Sequence, residues 1–216
     1  MKTALLIGST GLVGSQLLHL LLDSPTYNKV IVFVKRDAKI EHPKLVQHII
    51  DFDHAESYEH YVQGDDFFCC IGTTINKAGS QEAFKKVDYT YPKQFAQLAA
   101  KNKVSHLLLI SSIGADEKST NFYLKTKGTI EAFLKIADLQ TVTIVRPSLL
   151  LGKRTEFRLT EKIGAFFMTT FSFLLVGNLK KYKPIESKKV AKALFKLAQD
   201  DAKGFRIFES DQMQEL

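Results

Sequence analysis

The feature that most constrains this chain is its opening. Lys2 to Ile7 is an almost wholly apolar run, and Gly8-Ser9-Thr10-Gly11-Leu12-Val13-Gly14 follows it. An amphipathic stretch, Ser15 to Leu22, comes next. The order reads as buried strand, tight glycine turn, helix. Backbone N–H groups at such a helix start face outward, and with no Cβ in the way a dinucleotide pyrophosphate can approach them. The spacing is G-x-x-G-x-x-G rather than the commoner G-x-G-x-x-G, so position between strand and helix carries the reading more than the glycines do.

The rest of the chain repeats that alternation. Val30–Val34, Val46–Ile50, Phe67–Ile71, His106–Ile110 and Val142–Val145 are short apolar or β-branched runs, each closed by a charged or small residue. Helical patterns separate them over Ser80–Val87, Pro92–Lys101 and Asn121–Ala137, the last with Ile130, Phe133, Leu134 and Ala137 at helical spacing. Continuous apolar strands between helices predict a parallel sheet covered on both faces, a Rossmann-type doubly wound α/β fold. With 216 residues, 45% of them hydrophobic, one such domain is expected over residues 1–216. From about Gly152 the pattern is less regular, and residues 150–216 are expected to form a small substrate-side lobe. Repeats, linkers and low-complexity tracts are not visible.

Several function classes recede on composition. No segment reaches the roughly 18 continuous apolar residues of a spanning helix, and the opening apolar run is too short for a signal peptide. Cys69 and Cys70 are neighbours that point to opposite faces of a strand, which disfavours a disulfide between them. Free thiols suit a reducing, cytoplasmic setting. The formal charge is +7, but the lysines are scattered, with Lys180, Lys181 and Lys183 the densest group. A solvated basic surface explains them better than a nucleic-acid patch. His42, His48, His54 and His60 recur every six residues, which does not stack them on one helical face, so no metal site is expected. The Phe-rich stretch Ile163–Gly177 reads as a core helix or pocket lid, with an interfacial membrane anchor as the sharper alternative.

In open parallel sheets ligands sit beyond the carboxyl ends of the strands. Lys35 and Arg36 close the second strand, where NAD-preferring sites usually carry a carboxylate for the ribose 2′-hydroxyl. A cation there suits a 2′-phosphate, so NADP(H) is expected over NAD(H), with Asp37 as the one neighbour that argues otherwise. Asp51 and Phe52 are placed to line the adenine. Cys70-Ile71-Gly72-Thr73 forms a small turn where the cofactor ribose would pass.

Tyr123 and Lys127 lie one helical turn apart on the same face, shortly after Ser111-Ser112. An ammonium beside a phenol favours the phenolate, so the tyrosine can exchange a proton with a carbonyl or alcohol nearer neutral pH. A strand-terminal serine hydroxyl can polarise the same oxygen. The order of parts, glycine turn, then serines, then the tyrosine–lysine pair, strengthens each of them.

Taken with Thr10-Gly11-Leu12-Val13-Gly14, Cys70-Ile71-Gly72-Thr73-Thr74, Lys77-Ala78-Gly79, Val87-Asp88, Ser111-Ser112-Ile113-Gly114-Ala115-Asp116, Asn121-Phe122-Tyr123, Lys127-Gly128 and Arg146-Pro147, the chain resembles the atypical short-chain dehydrogenases/reductases, in particular the Tat-interacting-protein-like group. The resemblance runs nearly end to end. It implies NADP(H) in the crevice and hydride-transfer chemistry on a small or apolar carbonyl compound. It further implies Tyr123 as acid/base, Lys127 as holder of the nicotinamide ribose, Ser112 ahead of Ser111 as the polarising hydroxyl, and Arg146-Pro147 beside the nicotinamide. The group also admits a second reading, a non-catalytic module that answers to NADP(H) by changing a binding surface.

Overall fold

A computed structural model describes residues 1–152 and 177–216. Seven parallel strands form the main sheet: β1 (Lys2–Ile7), β2 (Tyr27–Val34), β3 (Leu45–Ile49), β4 (Asp66–Cys69), β5 (His106–Ile110), β6 (Thr141–Arg146) and a last strand, Gly204–Glu209. With the two-residue β7 (Leu150–Leu151) and β8 (Ile185–Glu186) paired in a small sheet of their own, that last strand is β9. The order across the main sheet is β3-β2-β1-β4-β5-β6-β9. The order reverses between β1 and β4, which opens the crevice of a doubly wound fold above their carboxyl ends. The Rossmann-type expectation is met.

Alternation along each strand divides the core. Leu6, Val32, Phe68, Leu108 and Val145 face α1 (Gly14–Asp23) and the late helix Ser187–Leu197. Leu5, Ile31, Phe67, Leu107 and Ile144 face the opposite way, toward the helices Tyr91–Lys101 and Phe122–Lys135. Period-2 side-chain direction makes one strand serve two layers. Phe95 centres the second layer, with ring centroids 5.2 Å from Phe33, 5.1 Å from Tyr58 and 5.5 Å from Phe67.

The connections place the chemistry. After β4 come the short helices α2 (Ile75–Ala78) and α3 (Gln81–Lys85), capped by the Thr74 and Ser80 hydroxyls. A π-helical turn over Lys86–Thr90 then leads into α4 (Tyr91–Lys101), with Pro92 in its first turn. The expected helix Ser80–Val87 is therefore two pieces, and the widened turn swings Asp88 into the interior, where it is 2% exposed. Helix α5 (Phe122–Lys135) starts where Asn121 accepts a hydrogen bond from the Leu124 amide at 3.1 Å.

Residues 185–216 are more regular than their sequence pattern suggests. The late helix, α6 (Ser187–Leu197), buries Val190, Ala191, Ala193, Leu194 and Leu197 against α1 and turns Lys188, Lys189 and Lys192 outward. Strand β9 pairs with β6 over six residues and so extends the main sheet, and α7 (Ser210–Glu215) follows it. The Phe-rich stretch lies outside the described residues apart from Gly177. No helix among the described residues is long and apolar enough to cross a membrane.

Candidate functional site

The glycine turn is a close-packed saddle between β1 and α1. Gly8 has φ +82°, and a Cβ there would lie 2.5 Å from the Cys70 carbonyl. A Cβ on Gly14 would lie 2.1 Å from the Gly8 carbonyl oxygen, and one on Gly11 3.2 Å from it. Gly8 and Gly14 are thus required by backbone packed against backbone, and Gly11 is tight. The Gly11 amide donates to the Gly8 carbonyl at 3.0 Å and closes the turn. Val13 precedes α1 without a side-chain cap, and no acidic side chain sits in the first turn. The Ser9 hydroxyl is buried and has no hydrogen-bond partner among the described residues. An uncapped helix start, a cradle without Cβ atoms and an orphaned hydroxyl fit a phosphate-bearing ligand. Gln16 braces the saddle by donating to the Leu12 carbonyl at 3.0 Å and to the Ser187 hydroxyl at 2.7 Å.

At the end of β2, Lys35 and Arg36 are both exposed. The Lys35 ammonium stands 5.3 Å from the Tyr91 ring centre and 5.7 Å from that of Phe52. Arg36 makes no ion pair among the described residues. Asp37 accepts from the Lys39 amide at 2.8 Å and from the Gln47 side chain at 3.3 Å, which folds its carboxylate back onto its own loop. Asp51 is exposed and accepts from the Asp53 amide at 3.0 Å. Phe52 is 3% exposed and packs into the core beside Tyr91 and Phe95, so burial rather than an open face occupies its ring.

The loop after β4 passes over a buried ion pair. Lys127 Nζ lies 2.7 Å from Asp88 Oδ1, and both side chains are almost inaccessible. Asp88 Oδ2 accepts from the Thr73 amide at 2.9 Å. Burial works against the Lys127 charge. The Asp88 carboxylate outweighs it, with lesser help from Tyr123 and Cys69, and holds the ammonium above the usual lysine range. A Cβ on Gly72 would come within 3.4 Å of Asp88 Oδ1 and 3.9 Å of Lys127 Nζ. Ile71 and Thr73 are half-buried on either side of it. Burial pushes the Cys69 thiol up to about 12 and the Cys70 thiol well above its ordinary value, which leaves both protonated at neutral pH.

The two serines after β5 differ. Ser111 is buried and donates to Glu131 Oε1. Ser112 is half-buried, and among the described residues its hydroxyl has only a long contact, 3.3 Å, to the Ile113 carbonyl. Tyr123 is half-buried in the first turn of α5, its ring 5.7 Å from that of Phe84. Lys127 follows one turn later on the same helix.

Arg146, expected beside a nicotinamide, is held by partners within the protein. Its Nε and Nη2 grip the Glu131 carboxylate, with Nη2 at 2.5 Å, while Nη1 reaches Glu209 at 3.3 Å. Nη2 also donates to the Ala115 carbonyl at 3.2 Å. These contacts commit the guanidinium to tying β6, α5, β9 and the post-β5 loop together. Pro147 is buried, and its carbonyl accepts from the Ile113 amide at 3.1 Å.

Sequence reading missed Asp88 and Glu131 as partners of the site. A signal existed. Lys127 and Glu131 are charges within the apolar stripe that Ile130 and Leu134 define, and an ionic residue there needs a buried partner. No cluster of three metal-ligating side chains occurs among the described residues.

Comparison with known proteins bears on this geometry. A family profile described as NAD(P)H-binding matches residues 8–201. Protein HTATIP2 of Rattus norvegicus is 34% identical over 170 residues, covering 77% of this chain and 70% of that protein. Protein FMP52, mitochondrial, of Debaryomyces hansenii is 33% identical over 204 residues, covering 92% and 88%. Among solved structures, the Bordetella bronchiseptica enzyme WbmH in complex with NAD+ superposes with a TM-score of 0.73 at 15% identity, covering 97% of this chain and 76% of that one. The oxidoreductase ylbE from Lactococcus lactis gives 0.69 at 17% identity, covering 99% and 96%. At these identities the structural likeness speaks for the fold alone.

Proposed function

Because the chain belongs to the NAD(P)H-binding family, within the Tat-interacting-protein-like group of atypical short-chain dehydrogenases/reductases, we propose that it is an NADPH-dependent reductase of a small or apolar carbonyl compound. The Gly8–Gly14 saddle, with Ser9 and Thr10, holds the pyrophosphate against the first amides of α1. Arg36, with Lys35 beside it, holds the 2′-phosphate. Asp51 and the edge of Phe52 bound the adenine side, and Cys70, Ile71, Gly72 and Thr73 line the ribose path. When bound, NADPH supplies the hydride.

Tyr123 gives its phenolic proton to the carbonyl oxygen. Ser112 donates a hydrogen bond to the same oxygen, since among the described residues its hydroxyl has only one weak partner. Ser111 supports the site from behind through Glu131. Lys127 places a fixed positive charge near the phenol, which favours the form left after proton donation. The observation that carries this reading is the buried Lys127 ammonium, paired with Asp88 one helical turn from Tyr123.

The stretch from Leu149 to Lys183 is assigned the substrate side, and residues 153–176 of it lie outside the described residues. A reducing compartment such as the cytoplasm suits two free thiols. The FMP52 relatives carry the word mitochondrial in their names, and cell fractionation separates the two locations.

Tyr123→Phe tests the proposal. It removes one oxygen from a half-buried side chain. NADPH affinity should hold within about twofold while carbonyl reduction falls by about 10²-fold or more. Turnover at the wild-type rate would refute the assignment. A wild-type protein that binds NADPH yet reduces no member of a broad carbonyl panel would favour the ligand-responsive module instead.

A further inference from the structure

The Asp88–Lys127 pair has a geometry that core stability alone does not require. Two charges are taken out of water at a cost of several kcal/mol each before pairing. They stand beside a surface loop, with Gly72 exposed above them. Asp88 spends one oxygen on the Lys127 ammonium at 2.7 Å and the other on the Thr73 amide at 2.9 Å. One carboxylate thus fixes both a lysine of α5 and the backbone of the loop after β4. Its own placement depends on the π-helical turn Lys86–Thr90, which tucks residue 88 inward.

We propose that Asp88 is a positioning residue that keeps Lys127 charged in a dry pocket and holds it, together with the Thr73 backbone, in register for the nicotinamide ribose. The inference rests on the cofactor reading above. The groups facing Lys127 are Asp88 from the π-helical turn, Tyr123 from its own helix and Cys69 from β4. Of these Asp88 alone is a carboxylate, and it lies against the ammonium at 2.7 Å, while burial keeps the Cys69 thiol protonated. Without Asp88 the burial of Lys127 is unopposed, and desolvation drives a buried ammonium toward its neutral form. An amide at position 88 can still accept from Thr73 but supplies no charge.

The test is an NADPH fluorescence titration of wild type and Asp88→Asn at about pH 7 and about pH 9.5, a range chosen to lie below the free-lysine value of about 10.4. Wild-type affinity should change less than about twofold between the two, and the variant should lose about tenfold more at the higher pH. Parallel curves would overturn the proposal. A second measurement needs neither cofactor nor a change at Asp88. The Lys127 side-chain nitrogen signal of labelled wild-type protein, assigned by its loss in Lys127→Met, should remain that of an ammonium up to about pH 10. Titration of Lys127 below the free-lysine value would overturn the proposal even if Asp88→Asn fails to fold. Failure of wild type to bind NADPH at either pH would sink the cofactor reading, while the nitrogen signal judges Asp88 separately.

Discussion

The Arg146 guanidinium and the Glu131 carboxylate face each other with Nε 3.1 Å from Oε1 and Nη2 2.5 Å from Oε2. The pair joins the end of β6 to the middle of α5. It also reaches two neighbours: Ser111 donates to the same carboxylate, and the Ala115 carbonyl accepts from the same guanidinium at 3.2 Å. The loop that carries Ser112 is therefore pinned on both sides of that residue.

Arg146→Met should destabilise the fold by about 3 kcal/mol, because it leaves Glu131 buried without its cation. Glu131→Gln in the same background should recover part of the loss, since it removes the stranded charge. Urea unfolding of the two single variants and the double variant reads the coupling directly. Equal additive losses would show that the pair contributes no more than two surface charges.

The sequence made the sheet legible because its strands are continuous apolar runs with punctuation at their carboxyl ends. Strand β9 escaped because the charges Arg206 and Glu209 break up the apolar residues of Gly204-Phe205-Arg206-Ile207-Phe208-Glu209. That is the pattern of an edge strand half open to water rather than a buried one. Lys127 was visible through its spacing to Tyr123. Its partner Asp88 was not, because only the π-helical turn brings residue 88 under the loop after β4. The resemblance put Arg146 beside the nicotinamide, and no local pattern announced the Glu131, Glu209 and Ala115 oxygens that its guanidinium also meets. Strand-end position is written in the sequence; the competition for a side chain's donors is decided by packing.

Gly14→Ala should abolish NADPH binding. The new methyl would lie 2.1 Å from the Gly8 carbonyl oxygen and 3.3 Å from the Cys70 Cβ, and the first of these is backbone that cannot swing aside. Relief requires lifting α1 off the saddle, which removes the amides from the phosphate position. Isothermal titration with NADPH, paired with a thermal melt, distinguishes this from global unfolding. A folded variant with wild-type affinity would show that the saddle is not where the phosphates rest.

His106 predicts a pH dependence far from the site. It lies at the amino end of β5, 5% exposed, with Nε2 2.8 Å from the Thr143 hydroxyl. Burial first, and then Arg206 and Lys2, lower its pKa from 6.5 to about 4. Between those values the unfolded chain binds the proton and the folded one does not. Stability from this group is complete above pH 6.5 and is lost as pH falls toward about 4, by about 3 kcal/mol in all. Nearby Asp66, raised by burial, acts with the opposite sign, favouring the fold at low pH. His106→Asn should therefore flatten the acid limb of the urea-unfolding free energy. An unchanged slope between pH 4.5 and 6.5 would exclude His106 as its source.

Cofactor choice follows from the different engagements of Lys35 and Arg36. The Lys35 ammonium already lies over the Tyr91 and Phe52 rings, a contact of about 0.5–1 kcal/mol at an exposed site. Arg36 has no such partner among the described residues, and its planar fork matches a phosphate by two parallel hydrogen bonds. Asp37, the carboxylate next to Arg36 in sequence, is held by the Lys39 amide and the Gln47 side chain. Arg36→Ala should thus weaken NADPH about tenfold or more and leave NADH nearly unchanged. Lys35→Ala should cost NADPH less, because that ammonium must leave its aromatic contacts before it can serve a phosphate. Parallel fluorescence titrations with both nucleotides read the two effects, and equal NADPH and NADH affinities in wild type would remove the 2′-phosphate contact from the account. Charge reversal at the same position sharpens the comparison. Arg36→Glu places a carboxylate where Asp37 cannot reach, so it should repel the 2′-phosphate while offering an acceptor to a ribose 2′-hydroxyl, and the preference should invert toward NADH.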